Sequence, residues 1–516
     1  MQQLPGLRPR NRPAQQGDRK DRLGGVQGLS GRHLGAIFQP LLLLGAGLGN
    51  SNLAGETLLP VDLHAAPIEA APTCAVSAFA SNWITQTPPA SGSRRIVILG
   101  SSSAAGLGAS RYDLSWVGLL TPELHNRGFE VVNSSISGSG TSTSLARFDT
   151  DVAPHQPDFV VLATSIFNEG FVSAPQPALN RYIINTRELI RKTRELGAIP
   201  IVVGMYPSDF YNSTNISLIS QLYRTEETLG VPVWDFWSIV SDQAGNWLPG
   251  LTRDGLHPTD VGHSYFFNSI PISLFDVAYS APHVDLATVP GSWRTPQPAE
   301  GQDHGRIDIR LDRPSDSWTS AAWIQDSGVD AWQVYLRFGS DKGERFRLER
   351  HGPELVLREA EDETLRAPLT VGSERSWHHV AVSYQFATRK LQVLLDGSVA
   401  GELQTSQVEP MSYFEYGSGC SGCSFSDLVA YRTNLDMDQV ALIKSGLIPR
   451  RSLEFWAPLR QSTMDSLNLA RTNPSLTITG SWQYQAGESP ASCSLEPTQQ
   501  STGIQGSMPR ASSAFH

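Results

Sequence analysis

Short apolar runs alternate with helical patterns between Arg94 and Ala278, and this alternation restricts the fold of the chain more than any other feature. The runs have the length of buried strands and cover residues 95–100, 129–133, 159–163, 199–204 and 232–236. Between them, apolar residues recur at helical spacing, most clearly over 179–196 and 216–229. Strands that alternate with helices predict a parallel sheet covered on both faces. Because such sheets bind ligands at the carboxyl ends of their strands, we expect functional residues directly after each strand.

Beyond about Pro282 the chain changes to short, often alternating segments that Gly, Asp and Ser interrupt. Many short strands, repeated about every 8–12 residues, predict an antiparallel sandwich. We place it at residues 302–485, with one helix over 437–444. The Pro- and Ala-rich residues 282–301 are predicted to form a linker. The Ser-, Gln- and Pro-rich residues 486–516 are predicted to be a disordered tail.

The chain begins with a basic tail and an apolar stretch, Leu34–Leu48, which small residues follow. This is the order of a secretory signal, so we assign residues 1–55 to a tail with a signal-like segment and 56–93 to a linker. The apolar stretch is too short to cross a bilayer. We expect a secreted or periplasmic protein without a stable membrane span; a disordered tail with an accidental Leu cluster is the alternative.

The charge balance excludes one class of partner. The chain has 40 Lys and Arg against 50 Asp and Glu, a net charge of −10, whereas nucleic-acid-binding proteins normally present a basic face. Hydrophobic residues make up 40% of the chain, enough for buried cores, so the chain as a whole is not disordered. We therefore expect a folded protein with no nucleic-acid partner.

The four cysteines fall into two groups. Cys74 precedes the first predicted domain and Cys493 follows the last, while Cys420 and Cys423 form a Cys-x-x-Cys motif. In an exported protein both pairs are candidate disulfides. A Cys-x-x-Cys motif also occurs in redox and zinc sites, but no second such motif or nearby His pair accompanies it. We predict no metal and no cofactor.

Candidate catalytic side chains follow the predicted strands. Ser101, Ser102 and Ser103 come directly after the first strand, where a hydroxyl lies near N–H groups that can hold an oxyanion. After the second strand, Gly138 allows a backbone N–H to approach a substrate closely. Asn168 follows the third strand, where its amide can donate to the same oxyanion.

The last candidate loop contains Asp254 and His257, directly before the final predicted helix. Pro258 suits the first position of that helix, which leaves His257 on a tight turn. One short loop therefore supplies a base and a carboxylate that fixes the tautomer of the base.

Residues 94–281 resemble the SGNH (GDSL-type) hydrolases, whose four sequence blocks carry Ser, Gly, Asn and Asp-x-x-His in this order. The most specific matches are Asp254–His263 and Asn133–Gly138. The resemblance implies a flavodoxin-like three-layer α/β sandwich and a serine esterase. It also implies the roles of the site residues: Ser102 as nucleophile, His257 as general base and acid, Asp254 as its orienting carboxylate, and Ser102, Gly138 and Asn168 as oxyanion-hole donors.

The sequence departs from the family pattern in two blocks. Ser101 replaces the usual Asp before the nucleophile, so Ser101 and Ser103 remain alternatives to Ser102. The third block is usually Gly-x-Asn-Asp, whereas here Glu169 follows Asn168. A second Asp-x-x-His motif ends at His263, inside the predicted helix, and we interpret this histidine as packed or solvated. An ordinary α/β-hydrolase is the rival fold, but its Gly-x-Ser-x-Gly elbow is incomplete here.

The second domain resembles a laminin-G-like or concanavalin-A-like jelly roll, on the strand pair 377–384 and 391–397 and on 426–431. Such modules often bind glycans, sometimes with calcium, but no Asp or Asn cluster here has recognisable calcium-ligand spacing. The combined hypothesis is a secreted serine esterase that removes an acyl group, most simply acetyl, from a carbohydrate. The alternatives are a lipid esterase, an acyltransferase, or an inactive scaffold that binds glycans. Because the candidate catalytic residues all precede residue 258, we expect the first domain to work alone.

Overall fold

The computed structural model describes residues 94–486 except 243, 278–290, 296–304, 326–332, 360–361, 369–375, 407–408, 460–467, 469, 471, 473 and 481. The predicted signal-like segment, the first linker and the C-terminal tail beyond Ala486, with Cys74 and Cys493, lie outside the described residues. Among the described residues, none of the helices is both long and apolar enough to span a membrane.

The first region is an α/β fold around a parallel sheet with the strand order β2-β1-β3-β4-β5. Its elements are β1 Arg95–Gly100, α1 Trp116–Asn126, β2 Glu130–Asn133, α2 Thr141–Ala146, α3 Phe148–Asp151, β3 Phe159–Ala163, α4 Pro175–Glu195, β4 Ile199–Val203, α5 Ser213–Glu227, β5 Val233–Trp234, α6 Asp260–Asn268 and α7 Leu274–Val277. The side chains of β3 and β4 are buried throughout, because the sheet is covered on both faces. The predicted parallel α/β architecture is confirmed.

Two helices begin where a side chain caps them. Helix α5 begins at Ser213, earlier than predicted, because Asn212 and Asn215 form a reciprocal capping box. Helix α6 begins at Asp260, where the hydroxyl of Thr259 accepts a hydrogen bond from the N–H of Gly262. The prediction that Pro258 occupies the first helical position is therefore wrong, since the cap is the residue after it.

The second region consists of two antiparallel sheets and one helix. Its elements are β6 Gly291–Arg294, β7 Arg306–Ser315, β8 Trp318–Gln325, β9 Gln333–Ser340, β10 Gly343–His351, β11 Glu354–Glu359, β12 Asp362–Pro368, β13 Trp377–Gln385, β14 Lys390–Leu395, β15 Ser398–Gln404, β16 Met411–Gly419, β17 Ser424–Tyr431, α8 Met437–Lys444, β18 Leu453–Ala457, β19 Ser475–Thr479 and β20 Gln483–Ala486. The strand orders are β12-β11-β10-β9-β16-β7-β19 and β15-β14-β13-β8-β17-β6-β20, with β18 beside β17. Apolar side chains from both sheets share one core, so the predicted antiparallel architecture is confirmed.

Part of the predicted linker belongs to this second region. Residues 291–294 form β6, which pairs with β17 and β20. The side chain of Trp293 is buried in the core between the sheets, and this burial explains why the segment is ordered as a strand. The linker prediction is therefore wrong for these residues.

The two regions share a hydrophobic core. Ala321, Ala381 and Val429 lie in the same apolar cluster as Ile98 and Val161 of the parallel sheet. Their strands are accordingly buried on both faces: β17 contains no exposed residue. A shared core argues against the expectation that the first domain works alone, because removing the second region would expose apolar surface of the first.

Arg451 ties the second region to the edge of the parallel sheet. Its backbone forms a parallel bridge with Val233 of β5, and its side chain is only 1% exposed. The guanidinium contacts the carboxylates of Glu226 and Glu227 at 3.1 and 3.0 Å and lies 3.3 Å from the centre of the Tyr223 ring. Burial raises the pKa of Glu226, and the charge of Arg451 opposes that rise.

His263 of α6 connects this helix to the start of α1 and to the turn that follows the three serines. Its ring is fully buried; Nδ1 accepts from the N–H of Trp116 at 3.3 Å, and Nε2 donates to the carbonyl of Leu107 at 3.1 Å. Burial lowers the pKa of His263 to about 4, against the raising effects of the Leu107 carbonyl and Asp260. A second proton on Nδ1 would face the Trp116 N–H, so the neutral form is the one that fits.

We expect Arg451→Ala to lower the free energy of unfolding by about 3–5 kcal/mol, because it leaves the buried carboxylate of Glu226 and the partly buried carboxylate of Glu227 without their cation. Denaturant unfolding at neutral pH measures this. Arg191→Ala is the matched control: its ion pairs with Glu188 and Glu195 are at the surface, and its loss should change stability little. Equal effects of the two variants would contradict a structural role for the Arg451 contact.

Acid should destabilise the protein through His263. Its folded pKa lies below the ordinary value of 6.5. The contribution of His263 to the free energy of unfolding is therefore fully present above pH 6.5. It is lost as the pH falls towards 4, by roughly 3 kcal/mol in all. Unfolding measured at pH 7.5 and 4.5 should show His263→Phe to be less sensitive to acid than the wild type. His125→Gln, at an exposed position, should leave the acid sensitivity unchanged.

Candidate active site

Ser102, His257 and Asp254 form a continuous hydrogen-bonded chain at the carboxyl edge of the parallel sheet. His257 Nε2 lies 3.0 Å from Ser102 Oγ, and His257 Nδ1 lies 2.8 Å from Asp254 Oδ2. The imidazole is largely buried, with 15% of its side chain exposed, whereas the carboxylate is half exposed. This arrangement can move a proton between the serine hydroxyl and the imidazole while the carboxylate stabilises the imidazolium.

The carboxylate of Asp254 also fixes the backbone of its own loop. Its Oδ1 accepts from the N–H groups of Leu256 and His257 at 3.0 and 2.7 Å. Partial burial by itself would raise the pKa of Asp254, but the hydrogen bonds from the His257 side chain and from the two N–H groups outweigh it and lower the pKa. The three-residue spacing therefore lets Asp254 hold the imidazole of His257 in place, while the same loop keeps the carboxylate of Asp254 charged.

The three consecutive serines have different partners. Ser101 Oγ accepts from Asn168 Nδ2 at 2.6 Å, and Ser103 Oγ accepts from the indole N–H of Trp116 at 3.2 Å. All three serines are buried. In the described part of the chain, Ser102 is the serine that contacts His257.

The predicted oxyanion donors lie on loops that the Asn168 amide connects. No acceptor among the described residues pairs with the backbone N–H of Ser102 or of Gly138. Gly138 has φ of +80°, and a Cβ there would meet nothing within 4 Å, so there is room for a ligand beside it. Asn168 Nδ2 donates to Ser101 Oγ and to the carbonyl of Ser139 at 3.1 Å, which places the amide between the serine loop and the Gly138 loop.

Two side chains that sequence reasoning did not assign hold these loops together. Asn133 Nδ2 donates to the carbonyl of Ala104 at 2.9 Å, joining the end of β2 to the serine loop. Arg147 donates to the carbonyls of Ser134 and Gly100. Asn133 lies inside a motif that the sequence analysis singled out, whereas no sequence signal marks Arg147.

Tyr206 is a further residue of the site that the sequence analysis missed. Burial raises the pKa of its phenol, and hydrogen bonding with Ser165 and Ser102 opposes that rise. Tyr206 follows β4, so the rule that functional residues follow the strands was the signal that could have found it.

Two further candidate residues lie in the second region. Cys420 and Cys423 are joined as a disulfide, with Cα atoms 5.8 Å apart. Within the described residues there is no group of three or more His, Cys, Asp or Glu side chains placed to hold a metal ion.

Comparison with known proteins matches residues 98–265 to the model of the GDSL-like Lipase/Acylhydrolase family. Esterase TesA of Pseudomonas aeruginosa is 28% identical over 169 residues, which are 32% of this chain and 79% of that protein. An arylesterase of Vibrio mimicus is 26% identical over 169 residues, 32% of this chain and 80% of that protein.

A crystal structure of TesA matches 34% of this chain and 93% of its own, at 23% identity and a TM-score of 0.28. The family match covers the serine, glycine and asparagine loops and the Asp254–His257 turn in one segment. The α/β region is thus a GDSL/SGNH hydrolase domain, and the protein is a serine hydrolase that acts on ester bonds.

Proposed function

We propose that Ser102, His257 and Asp254 are the catalytic triad and that the reaction proceeds through an acyl-enzyme. The observation that carries this proposal is the unbroken chain of contacts from Ser102 Oγ through both ring nitrogens of His257 to Asp254. Neither neighbouring serine has this contact, since Ser101 pairs with Asn168 and Ser103 with Trp116.

The geometry supports a two-step reaction. Ser102 Oγ attacks the ester carbonyl while His257 Nε2 accepts the hydroxyl proton; the C–O bond to the alcohol then breaks and the proton passes to the leaving alcohol. In the second step water attacks the acyl group on Ser102, and His257 again accepts a proton and returns it to Ser102 as the acid leaves. Asp254 remains hydrogen-bonded to Nδ1 and stabilises the imidazolium in both steps.

We assign the oxyanion hole to the backbone N–H groups of Ser102 and Gly138 and to the amide of Asn168. Neither backbone N–H has an acceptor within the part of the chain that the structure describes, and there is open space beside Gly138; both observations support this assignment. In the reaction, the developing oxyanion accepts the hydrogen bond that the Asn168 amide otherwise donates to Ser101 Oγ.

The proposed substrate is an acyl ester on a carbohydrate, most simply an acetyl ester, and the proposed location is the periplasm or the cell exterior. The signal-like order of residues 1–55 and the disulfide between Cys420 and Cys423 support export to an oxidising compartment. The names of the relatives, esterase and arylesterase, support ester hydrolysis.

We assign the second region to the laminin-G-like or concanavalin-A-like jelly rolls and propose that it binds the glycan that carries the ester. The sequence resemblance over 377–384 and 391–397 supports this, as does the pairing of both segments as neighbouring antiparallel strands of one sheet. A tethered glycan site would raise the local concentration of ester at the triad without changing the chemistry.

Ser102→Ala should lower kcat for 4-nitrophenyl acetate by at least about 10³-fold, as expected for the nucleophile of a triad. It should also abolish labelling by a fluorophosphonate. Ser103→Ala is the control and should retain most of the activity, because Ser103 contacts Trp116 and not His257. An active Ser102→Ala variant beside an inactive Ser103→Ala variant would show that Ser103, and not Ser102, is the nucleophile.

The full-length Ser102→Ala variant should bind an acetylated polysaccharide without releasing acetate, because it lacks the nucleophile and keeps the second region. Affinity electrophoresis in acetylated xylan measures binding, and an acetate assay measures release by the wild type. Binding to xylan with no acetate release by the wild type would contradict the proposed substrate. Hydrolysis of 4-nitrophenyl octanoate that is faster than hydrolysis of 4-nitrophenyl acetate would then favour a lipid esterase. Transfer of the acetyl group to an added sugar would favour an acyltransferase.

A further inference from the structure

Glu169 lies directly after Asn168, at the end of a 3₁₀ helix, and its side chain is only 3% exposed. Its Oε1 accepts hydrogen bonds from both the N–H and the hydroxyl of Thr141, the latter at 2.7 Å. Thr141 is the first residue of α2, three residues after Gly138. One carboxylate oxygen therefore connects the helix that carries Asn168 to the loop that carries Gly138.

The contact between these two segments is close along its length. A Cβ on Gly140 would lie 2.6 Å from Glu169 Oε1, so only glycine leaves room for the carboxylate at this point. The carbonyl of Ser139 accepts from Asn168 Nδ2 at 3.1 Å, which is a second connection between the same segments.

Arg181 of α4 completes the arrangement. Its Nε lies 2.7 Å from Glu169 Oε2, and its guanidinium also donates to the Glu169 carbonyl. An uncompensated negative charge beside the oxyanion hole would oppose the negative charge that develops on the substrate. The guanidinium offsets this charge while leaving the carboxylate oxygens as acceptors.

We propose that Glu169 is a positioning residue of the hydrolytic reaction, which sets the separation of the Gly138 N–H and the Asn168 amide. This inference rests on the oxyanion hole assigned under the proposed function. Glu169 acts through the two donors and does not itself touch the reacting atoms. Its effect is therefore confined to the state in which the oxyanion exists, so its loss lowers kcat and leaves substrate binding unchanged.

Glu169→Gln tests the proposal, because it keeps the size of the side chain but cannot accept from Thr141 and Arg181 with both terminal atoms. We expect kcat for 4-nitrophenyl acetate to fall about 10- to 100-fold with KM little changed, the range that a small misplacement of catalytic groups produces. The inhibition constant of an aryl trifluoromethyl ketone, which forms a tetrahedral adduct with the serine, should rise by the same factor as kcat/KM falls. Glu169→Asp should recover part of the loss, since it restores two acceptor oxygens for Thr141 and Arg181.

A double-mutant cycle separates positioning from general destabilisation. Asn168→Ala alone should lower kcat by about 10²–10³-fold, as the removal of one oxyanion donor does. Added to Asn168→Ala, Glu169→Gln should lower kcat by no more than about fivefold, because one of the donors that it positions is already absent. Full additivity of the two effects would overturn the proposal.

Asn185→Ala is the matched control. Asn185 also donates to the Thr141 hydroxyl, at 2.9 Å, but its hydrogen bonds among the described residues go to Thr141 and Ser142 and not to the helix that carries Asn168, so its loss should leave kcat nearly unchanged. If Glu169→Gln does not fold, Thr141→Val removes one of the two hydrogen bonds to Oε1 and should show the same coupling to Asn168→Ala.

The outcomes distinguish this inference from the function on which it rests. Wild-type activity in Ser102→Ala or Asn168→Ala would overturn the proposed mechanism and this inference with it. Large losses in those two variants, with kcat of Glu169→Gln within about twofold of wild type, would leave the mechanism standing and overturn the role of Glu169 alone.

Discussion

Burial of the parallel sheet on both faces is the constraint on which the rest of the structure depends. β1 and β3 run side by side with Gly100 opposite Ala163, so the two strands end at the same level. The N–H of Ser101 then donates to the carbonyl of Ala163, which starts both following loops from one point. Because the strands cannot shift without exposing apolar side chains, the serine loop and the helix of Asn168 are held next to each other.

The second region takes part in this constraint. Arg451 extends the edge of the sheet beside Val233 and pairs with two carboxylates of α5, of which that of Glu226 is fully buried. The apolar cluster that covers one face of the sheet continues into Ala321 and Val429 of the sandwich. The sandwich is thus part of the support of the hydrolase domain.

The architecture and most of the site were predictable from local sequence. Apolar runs without alternation predicted strands buried on both faces, and the residues that follow them included Ser102, Gly138 and Asn168. Two predictions failed for different reasons. Trp293 was assigned to a Pro-rich linker because its burial depends on a core built from distant strands. The start of α6 was misplaced because a side-chain cap, the hydroxyl of Thr259, decides where the helix begins.

The sequence by itself determined the order of strands and helices, the edge of the sheet at which the candidate site lies, and the Asp254–His257 pair, because each depends on residues close together in the chain. Only the tertiary structure decided which of three serines meets His257, 155 residues away. It also decided that Glu169 joins the Asn168 helix to Thr141 and that Arg451 pairs with Glu226, 225 residues away. Those contacts result from packing between distant segments, where geometry, and not residue type or spacing, selects the partner.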